Sequence, residues 1–479
     1  MQNNVQEKEK NFSSINLRSF IMVSGLLIAL LAFVGILSNF VVQGSYAYTE
    51  NGEIILGTYV ATEIKGIAFW RVITAPFRVF ASEDSLTIIM ISIFLLVMSG
   101  VFNVMEKTGG VKALITKITK SFSDKKKLVI LIVMLFFMLF GSFFGMFEEL
   151  ITLLPIIIAF TLSLGYDTLT GMGVCMLASC FGFSAAITNP FSVGLASEIA
   201  GVPVYEGLWL RLVFFVLVFS VLATFVLLHI KKIIKNPRKS LTFDIDQEKL
   251  IAMGTSQSEE VDTKVFRTYA IFFAFQLVVL VLIASVRAIS GLAIPILAVT
   301  FLIGGLISGL LVSNDKKKVF ADFGKGALGM LPAVFMIAVA SSIKLVLKES
   351  NIIDTIMHTV IEALSGKSKF AAIVLIYLLI LFLQIFIGSA SAKIVLIMPI
   401  IVPMCGALGI SPAVVILTYC MADGFTDMIL PTNPVLLIGL SMANVSYGKW
   451  IKWTWLLQII MFALTLLVLL FAVSVNYGV

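Results

Sequence analysis

Charge is scarce in this sequence. Only 13% of its 479 residues are Asp, Glu, Lys or Arg, against about 25% in an ordinary soluble domain. There are two histidines, His229 and His358, and neither has the sequence company of a metal ligand. Four cysteines give no disulfide framework. Cys175, Cys180, Cys405 and Cys420 all lie in apolar stretches, where a thiol acts as a small hydrophobe. No Walker motif occurs, so ATP is not the energy source. Gly171-Met-Gly173 lacks the strand–turn–helix setting of a nucleotide site. No cofactor is expected. Apolar surface is abundant instead: 59% of residues are hydrophobic and the mean hydropathy is +1.07. This excludes a cytosolic enzyme, a disordered chain and a nucleic-acid binder. An all-α polytopic membrane protein is expected.

A bilayer core of roughly 30 Å needs about 20 apolar residues per helix. Four apolar runs fall short of that: 128–144, 150–165, 370–387 and 394–410. Two are too long, 168–200 and 411–445, and each is broken internally by Asn-Pro. The first run, 20–43, is too long for a cleaved signal core of about 7–15 residues, so it reads as an uncleaved helix. With the N-terminus inside, the inner segments carry 24 Lys and Arg and the outer positions nine. That excess sets the N-terminus in the cytoplasm and the C-terminus outside. The resulting order is a cytoplasmic segment 1–19, a first membrane repeat 20–235, a cytoplasmic linker 236–267 and a second repeat 268–479.

The two halves repeat. A shift of 244 residues lays Pro155 on Pro399, Gly165 on Gly409, Thr188 on Thr432, Asn189 on Asn433 and Pro190 on Pro434. The segment 106–127 carries seven basic residues and reads as inside, whereas its mate 348–369 mixes both signs and reads as outside. Corresponding elements on opposite faces define an inverted-topology repeat, a plan of many secondary transporters. Parity then makes 128–166 and 370–410 re-entrant hairpins, and 168–200 and 411–445 broken helices. Such backbone is tolerated at membrane depth only where it is buried or lines a watery cavity. The hairpins therefore predict a site.

Four segments converge on that site: Glu148-Glu149 at the first tip; Ser184 with Thr188-Asn189-Pro190; Ser389, Ser391 and Lys393 at the second tip; and Asp423, Asp427 with Thr432-Asn433. Pro and Gly free backbone groups there, half-helix ends carry partial charges, and Ser, Thr and Asn add neutral donors and acceptors. A coupling sodium or proton is anticipated, with sodium near Asn189 and Asn433. Buried charges cost about 2.5–3.5 kcal/mol each, so they mark function. Four carboxylates against Lys393 suit a cationic solute, a coupling cation or protons. Lys393 is expected to pair with Glu149, its repeat mate, leaving Glu148 for the solute. Trp209, Trp450, Trp453 and Trp455 read as interfacial belt residues.

Gly145-Met-Phe-Glu-Glu149, Leu164-Gly-Tyr-Asp167, Asn189-Pro-Phe191, Ile199-Ala-Gly-Val-Pro203 and Asp423-Gly-Phe with Pro431-Thr-Asn433 resemble the YfcC-like family. That family is grouped with the anaerobic four-carbon dicarboxylate carriers in the wider ion-transporter superfamily. The resemblance covers roughly 20–476. It implies an elevator-type homodimer in the cytoplasmic membrane, with a scaffold and a moving domain that bears the hairpins. It also implies ion-coupled transport or exchange of a small solute. Members are commonly described as arginine/ornithine-type antiporters, while the grouping name says dicarboxylate. The tip Gly388-Ser-Ala-Ser-Ala-Lys393 departs from the frequent Gly-Ser-Gly-Gln pattern. An intramembrane aspartyl protease would need Gly-x-Gly-Asp where this chain has Met421-Ala-Asp-Gly424, and no His lies mid-membrane for a serine type. A channel would want a continuous polar helix face. A carrier fits better than either.

Overall fold

A computed structural model describes residues 17–47, 57–62, 66–83, 85–121, 125–252, 262–285, 292–364 and 366–478. Among them, eight helices are long and apolar enough to cross a membrane. The shorter apolar helices include Glu149–Ser163, Thr168–Ser184, Lys369–Gln384 and Pro434–Ala443. All four belong to the segments that the Asn-Pro and Gly breaks single out.

The first hairpin runs out along Lys126–Phe144 and returns through a 3-10 turn, Glu149–Leu153, into Leu154–Ser163. Its ten-residue return helix covers about 15 Å, half a bilayer core. The second hairpin comprises Lys369–Gln384 and Ala390–Ala407. Each is followed by a glycine with positive φ, Gly165 and Gly409, which ends the return limb where a side chain would be strained. Next come the broken helices. The first runs as Thr168–Met172, a π turn Gly173–Leu177 and Ala178–Ser184, and restarts at Pro190–Gly194 and Leu195–Ala200. The second is Pro412–Asp423, a 3-10 turn Phe425–Met428, then Pro434–Ala443. Asn189 and Asn433 cap the restarted halves, each accepting the N–H two residues on, at 2.9 Å from Phe191 and 2.8 Å from Val435.

The halves interlock. Lys126–Phe144 packs along Ala178–Ser184, and its mate Lys369–Gln384 packs along Pro412–Asp423. The return limbs cross over: Leu154–Ser163 meets Pro434–Ala443 of the other half, and Ala390–Ala407 meets Leu195–Ala200. Around this core, Ser85–Lys107 packs on Ala293–Val312 and Lys316–Gly329, while Leu17–Leu37 packs on Leu331–Glu349. Leu331–Glu349 in turn touches Pro434–Ala443.

Two sequence expectations are corrected. The linker 236–267 is not a bare connection: within it Phe243–Ala252 is a helix whose Asp246 and Lys249 are buried. Asp246 Oδ1 accepts the Thr168 N–H at 3.0 Å, and Lys249 Nζ donates to Thr168 Oγ1 at 3.0 Å and to the Ala443 carbonyl at 2.7 Å. Their partners lie far along the chain, so the segment gave no local signal in the sequence. His229 lies 2.8 Å from Asp167 Oδ2 and accepts from Trp453 Nε1 at 3.1 Å, a pairing that does not make a metal-ligand cluster among the described residues. Lastly, Trp450 and Trp453 are buried, with Trp450 donating to the Met428 carbonyl, while Trp209 and Trp455 stay exposed. An indole N–H inside the protein needs a partner, and the helix break supplies a free carbonyl. Lys8, Lys10, Lys65 and Arg287, used in the charge count, lie outside the described residues.

Candidate functional site

Each hairpin tip meets the break of its own broken helix, and the two junctions differ in chemistry. In the first, the Ser142 carbonyl accepts N–H groups from Ile187, Thr188 and Asn189 at 3.0, 3.3 and 3.1 Å. Ser142 Oγ donates to the Ala185 carbonyl at 2.6 Å, and Thr188 Oγ1 donates to the Phe143 carbonyl at 3.0 Å. Glycine makes this approach fit. A Cβ on Gly141 would strike the Ser179 carbonyl, and one on Gly182 would strike the Met138 carbonyl. Gly145, at φ +68°, lies against the Asn189 side chain.

The second junction is held by charge. Lys393 and Asp423 form an ion pair, and neither is exposed at all. Asp427 accepts from Gln384. Tyr419 donates to the Ala390 carbonyl at 2.6 Å. The expected Lys393–Glu149 pair is therefore replaced by Lys393–Asp423. The reason is that hairpin limb and broken helix of one half run side by side, bringing 393 to 423 before it can reach the other tip.

The broken helices touch each other at matched positions. Cys180 Sγ contacts the Gly424 carbonyl at 2.9 Å, and the Phe181 and Phe425 rings meet edge to face at 4.9 Å. In each pair the partners lie 244 residues apart, the interval that separates Asn189 from Asn433. Contact between equivalent positions is what a two-fold relation produces on its axis.

Between the tips lies a cavity of about 360 Å³, within the roughly 300–1,000 Å³ of small-molecule sites. Seven of the twelve residues singled out from the sequence line it: Glu148, Glu149, Ser389, Ser391, Asp427, Thr432 and Asn433. Glu148 is half-buried, with no hydrogen-bond or ion-pair partner among the described residues. The other five, Ser184, Thr188, Asn189, Lys393 and Asp423, sit behind the wall and hold its shape. Ser184 abuts Gly424, where a Cβ would strike its hydroxyl. Four phenylalanines, Phe147, Phe183, Phe191 and Phe386, form the aromatic part of the lining, beside aliphatic residues such as Ile88, Ile91 and Ile294.

The outer wall was missed in the sequence. Ile337, Ala340, Ser341 and Lys344 line the cavity from one stripe of Leu331–Glu349. Lys344 is half-buried on that helix, although the charge count gave it to the outer face. A spacing of three, four and seven residues ending on a lysine inside an apolar run was the available signal.

The family model for the DcuC C4-dicarboxylate anaerobic carriers matches residues 20–474. The chain belongs to that family. One relative is the Escherichia coli (strain K12) protein YfcC, provisionally named a basic amino acid antiporter, 27% identical over 383 residues, 76% of this chain and 74% of that one. Another is an uncharacterized Haemophilus influenzae protein, 26% identical over 372 residues, 77% of this chain and 72% of that one. Among solved structures, the Alcanivorax borkumensis YdaH transporter is 19% identical with a TM-score of 0.39, each chain covered to 96%. Neisseria gonorrhoeae MtrF is 14% identical with a TM-score of 0.41, each chain covered to 95%. As a member of this carrier family, the chain is a multi-pass membrane transporter acting on a small solute.

Proposed function

We propose that this carrier exchanges basic amino acids across the cytoplasmic membrane by alternating access, binding them in the cavity between the hairpin tips. The carrying observation is the charge pattern of that cavity: Glu148, Glu149 and Asp427 face one ammonium, Lys344. The half-buried Glu148 meets the cationic side chain. Lys344 takes the α-carboxylate, and the four phenylalanines pack the aliphatic stem, their ring faces adding cation–π attraction. A dicarboxylate carrier is the second reading, supported by the family's own description. Its substrate would bring two negative charges to a wall that already carries three carboxylates.

Alternating access follows from an inverted repeat, supported by the matched caps, the matched glycines and the contacts at an interval of 244 residues. The hairpins and broken helices would move as one elevator body against Ser85–Lys107, Ala293–Val312 and Leu331–Glu349, in each protomer of a homodimer. The basic inner segments support a cytoplasmic N-terminus and an outer C-terminus. A Ser256→Cys thiol, outside the described residues, should resist an impermeant reagent in intact cells; labelling there overturns the orientation.

Counterflow in proteoliposomes tests the substrate. Arginine, ornithine or lysine on the far side should accelerate labelled arginine uptake, whereas succinate and fumarate should not. Glu148→Gln should abolish exchange while leaving thermal stability unchanged. Wild-type exchange by that variant, or acceleration by succinate alone, transfers the case to the dicarboxylate reading.

A further inference from the structure

Cation-coupled carriers need a place where an ion from solution binds and leaves. The sequence marks two positions for sodium, beside Asn189 and beside Asn433; backbone contacts close the first, and the second half carries a buried ammonium, Lys393, at Asp423. At the first, the oxygens that close the junction are engaged, while the buried Ser184 and Ser192 hydroxyls have no hydrogen-bond partner among the described residues. The Ser142 carbonyl receives three N–H groups, the Phe143 carbonyl receives the Thr188 hydroxyl, and Asn189 Oδ1 caps Phe191. The Asn189 group left over is its buried Nδ2, a donor that repels a cation. At the second, Asp423 is fully buried. Its negative charge is balanced by Lys393, whose ammonium also acts on Asp427.

A carboxylate buried this way is either protonated or held by a cation within contact distance, since an uncompensated charge in the interior is strongly disfavoured; Asp423 has the Lys393 ammonium at that distance. That cation can arrive from solution in every cycle or be attached to the chain. We propose that Lys393 is a tethered counter-cation standing where a coupling sodium would bind, so that the carrier works independently of sodium. Its placement supports this. Lys393 lies one turn into the return limb of the second hairpin, and Asp423 is the last residue before the break, so the pair joins tip to break. An ion that bound there reversibly would tie closure of the tip to sodium. A tethered ammonium keeps the junction closed in every step, and the gradient of the exchanged solute drives transport. The inference rests on the reading of the neighbouring cavity as the substrate site, but sodium binding can be measured without any substrate.

The test therefore has a substrate-free arm. Purified wild-type protein should melt at the same temperature in sodium and in choline, and should retain no radioactive sodium in a scintillation proximity assay. Lys393→Ala should melt lower in choline and recover with sodium. The double variant Lys393→Met, Asp423→Asn lacks both charges and should fold equally in the two salts. Saturable sodium stabilisation of the wild type would overturn the proposal, as would Lys393→Ala melting like the wild type in choline. In the second arm, arginine counterflow by the wild type should be equal in the two salts, and a loss of about tenfold in choline also overturns it. No arginine counterflow in either salt, with a flat sodium response in the first arm, sinks the substrate reading and leaves the tethered cation standing.

Discussion

The two hairpin junctions occupy matched places and are built from opposite materials. At the first, Gly141, Gly145 and Gly182 bring backbone against backbone, and carbonyl–amide bonds close the contact. At the same positions 244 residues on stand Ile385, Ser389 and Thr426, which rule out so close an approach. The second junction uses Lys393, Asp423, Asp427 and Gln384, whose first-half mates are Glu149, Ser179, Phe183 and Phe140. One architecture thus tolerates two solutions to the same problem, the satisfaction of polar groups where a helix breaks inside an apolar medium. The comparison also separates roles. Backbone bonds fix geometry without contributing net charge, whereas the ionic junction leaves Asp427 facing the cavity.

Breaking the ionic junction should have the largest effect. Lys393→Met or Asp423→Asn alone leaves a buried charge uncompensated and should cost about 3–5 kcal/mol, whereas the double variant should recover most of it. Thermal unfolding in detergent checks this. Single and double variants of equal stability would show that the pair does not act as a unit.

Next comes the glycine-stitched junction. Gly182→Ala sets a methyl group against the Met138 carbonyl, a backbone atom that cannot rotate away, and should cost about 1–3 kcal/mol. Thr426→Ala, the same position of the second half, removes a half-buried hydroxyl and should change stability by less than about 1 kcal/mol. Equal costs at the two positions, read by thermal unfolding, would erase the distinction between the junctions.

The breaks were legible because they carry chemistry that apolar runs lack. Asn189-Pro190 and Asn433-Pro434 at one interval, with runs too short or too long for the bilayer, announce helix ends that the structure places at those residues. The cavity floor was legible for the same reason, since Glu148, Asp427 and Asn433 are polar in apolar surroundings. Its outer wall was not. Ile337 and Ala340 look like any buried helix face, and Lys344, near the end of its apolar run, read as an outer-face charge. The partner of Lys393 was illegible too, because repeat symmetry relates positions and does not say which neighbours touch. The linker helix hid for a related reason: its contacts are made by Asp246 and Lys249, whose burial depends on Thr168 and Ala443 far along the chain.

The smallest expected effect extends the comparison to the outer ends of the broken helices. The second begins at Ser411, whose hydroxyl donates to the Tyr477 carbonyl, a contact without titrating groups. The first begins at Asp167 and Thr168 under Asp246, whose carboxyl burial pushes up to about 6. Asp167 and Lys249 also face Asp246 there, and His229 contacts Asp167. The His229, Ser240 and Thr170 contacts hold Asp167 below the usual carboxylate range, against the opposing effect of burial. Burial holds Lys249 down at about 8, so neither Asp167 nor Lys249 titrates between pH 5 and 7. For Asp246 the sign is that of a raised acid. Its stabilising contribution is complete below its ordinary value near 3.8 and fades as pH rises through about 6. Acidifying from about pH 7 to pH 5 should therefore tighten the linker helix by about 1 kcal/mol. Protease nicking of the linker should slow at the lower pH, and Asp246→Asn should remove that dependence. If nicking instead speeds up on acidification in the wild type, the ionised Asp246 is what holds the helix, and the junction at Thr168 is ionic like the one at Lys393.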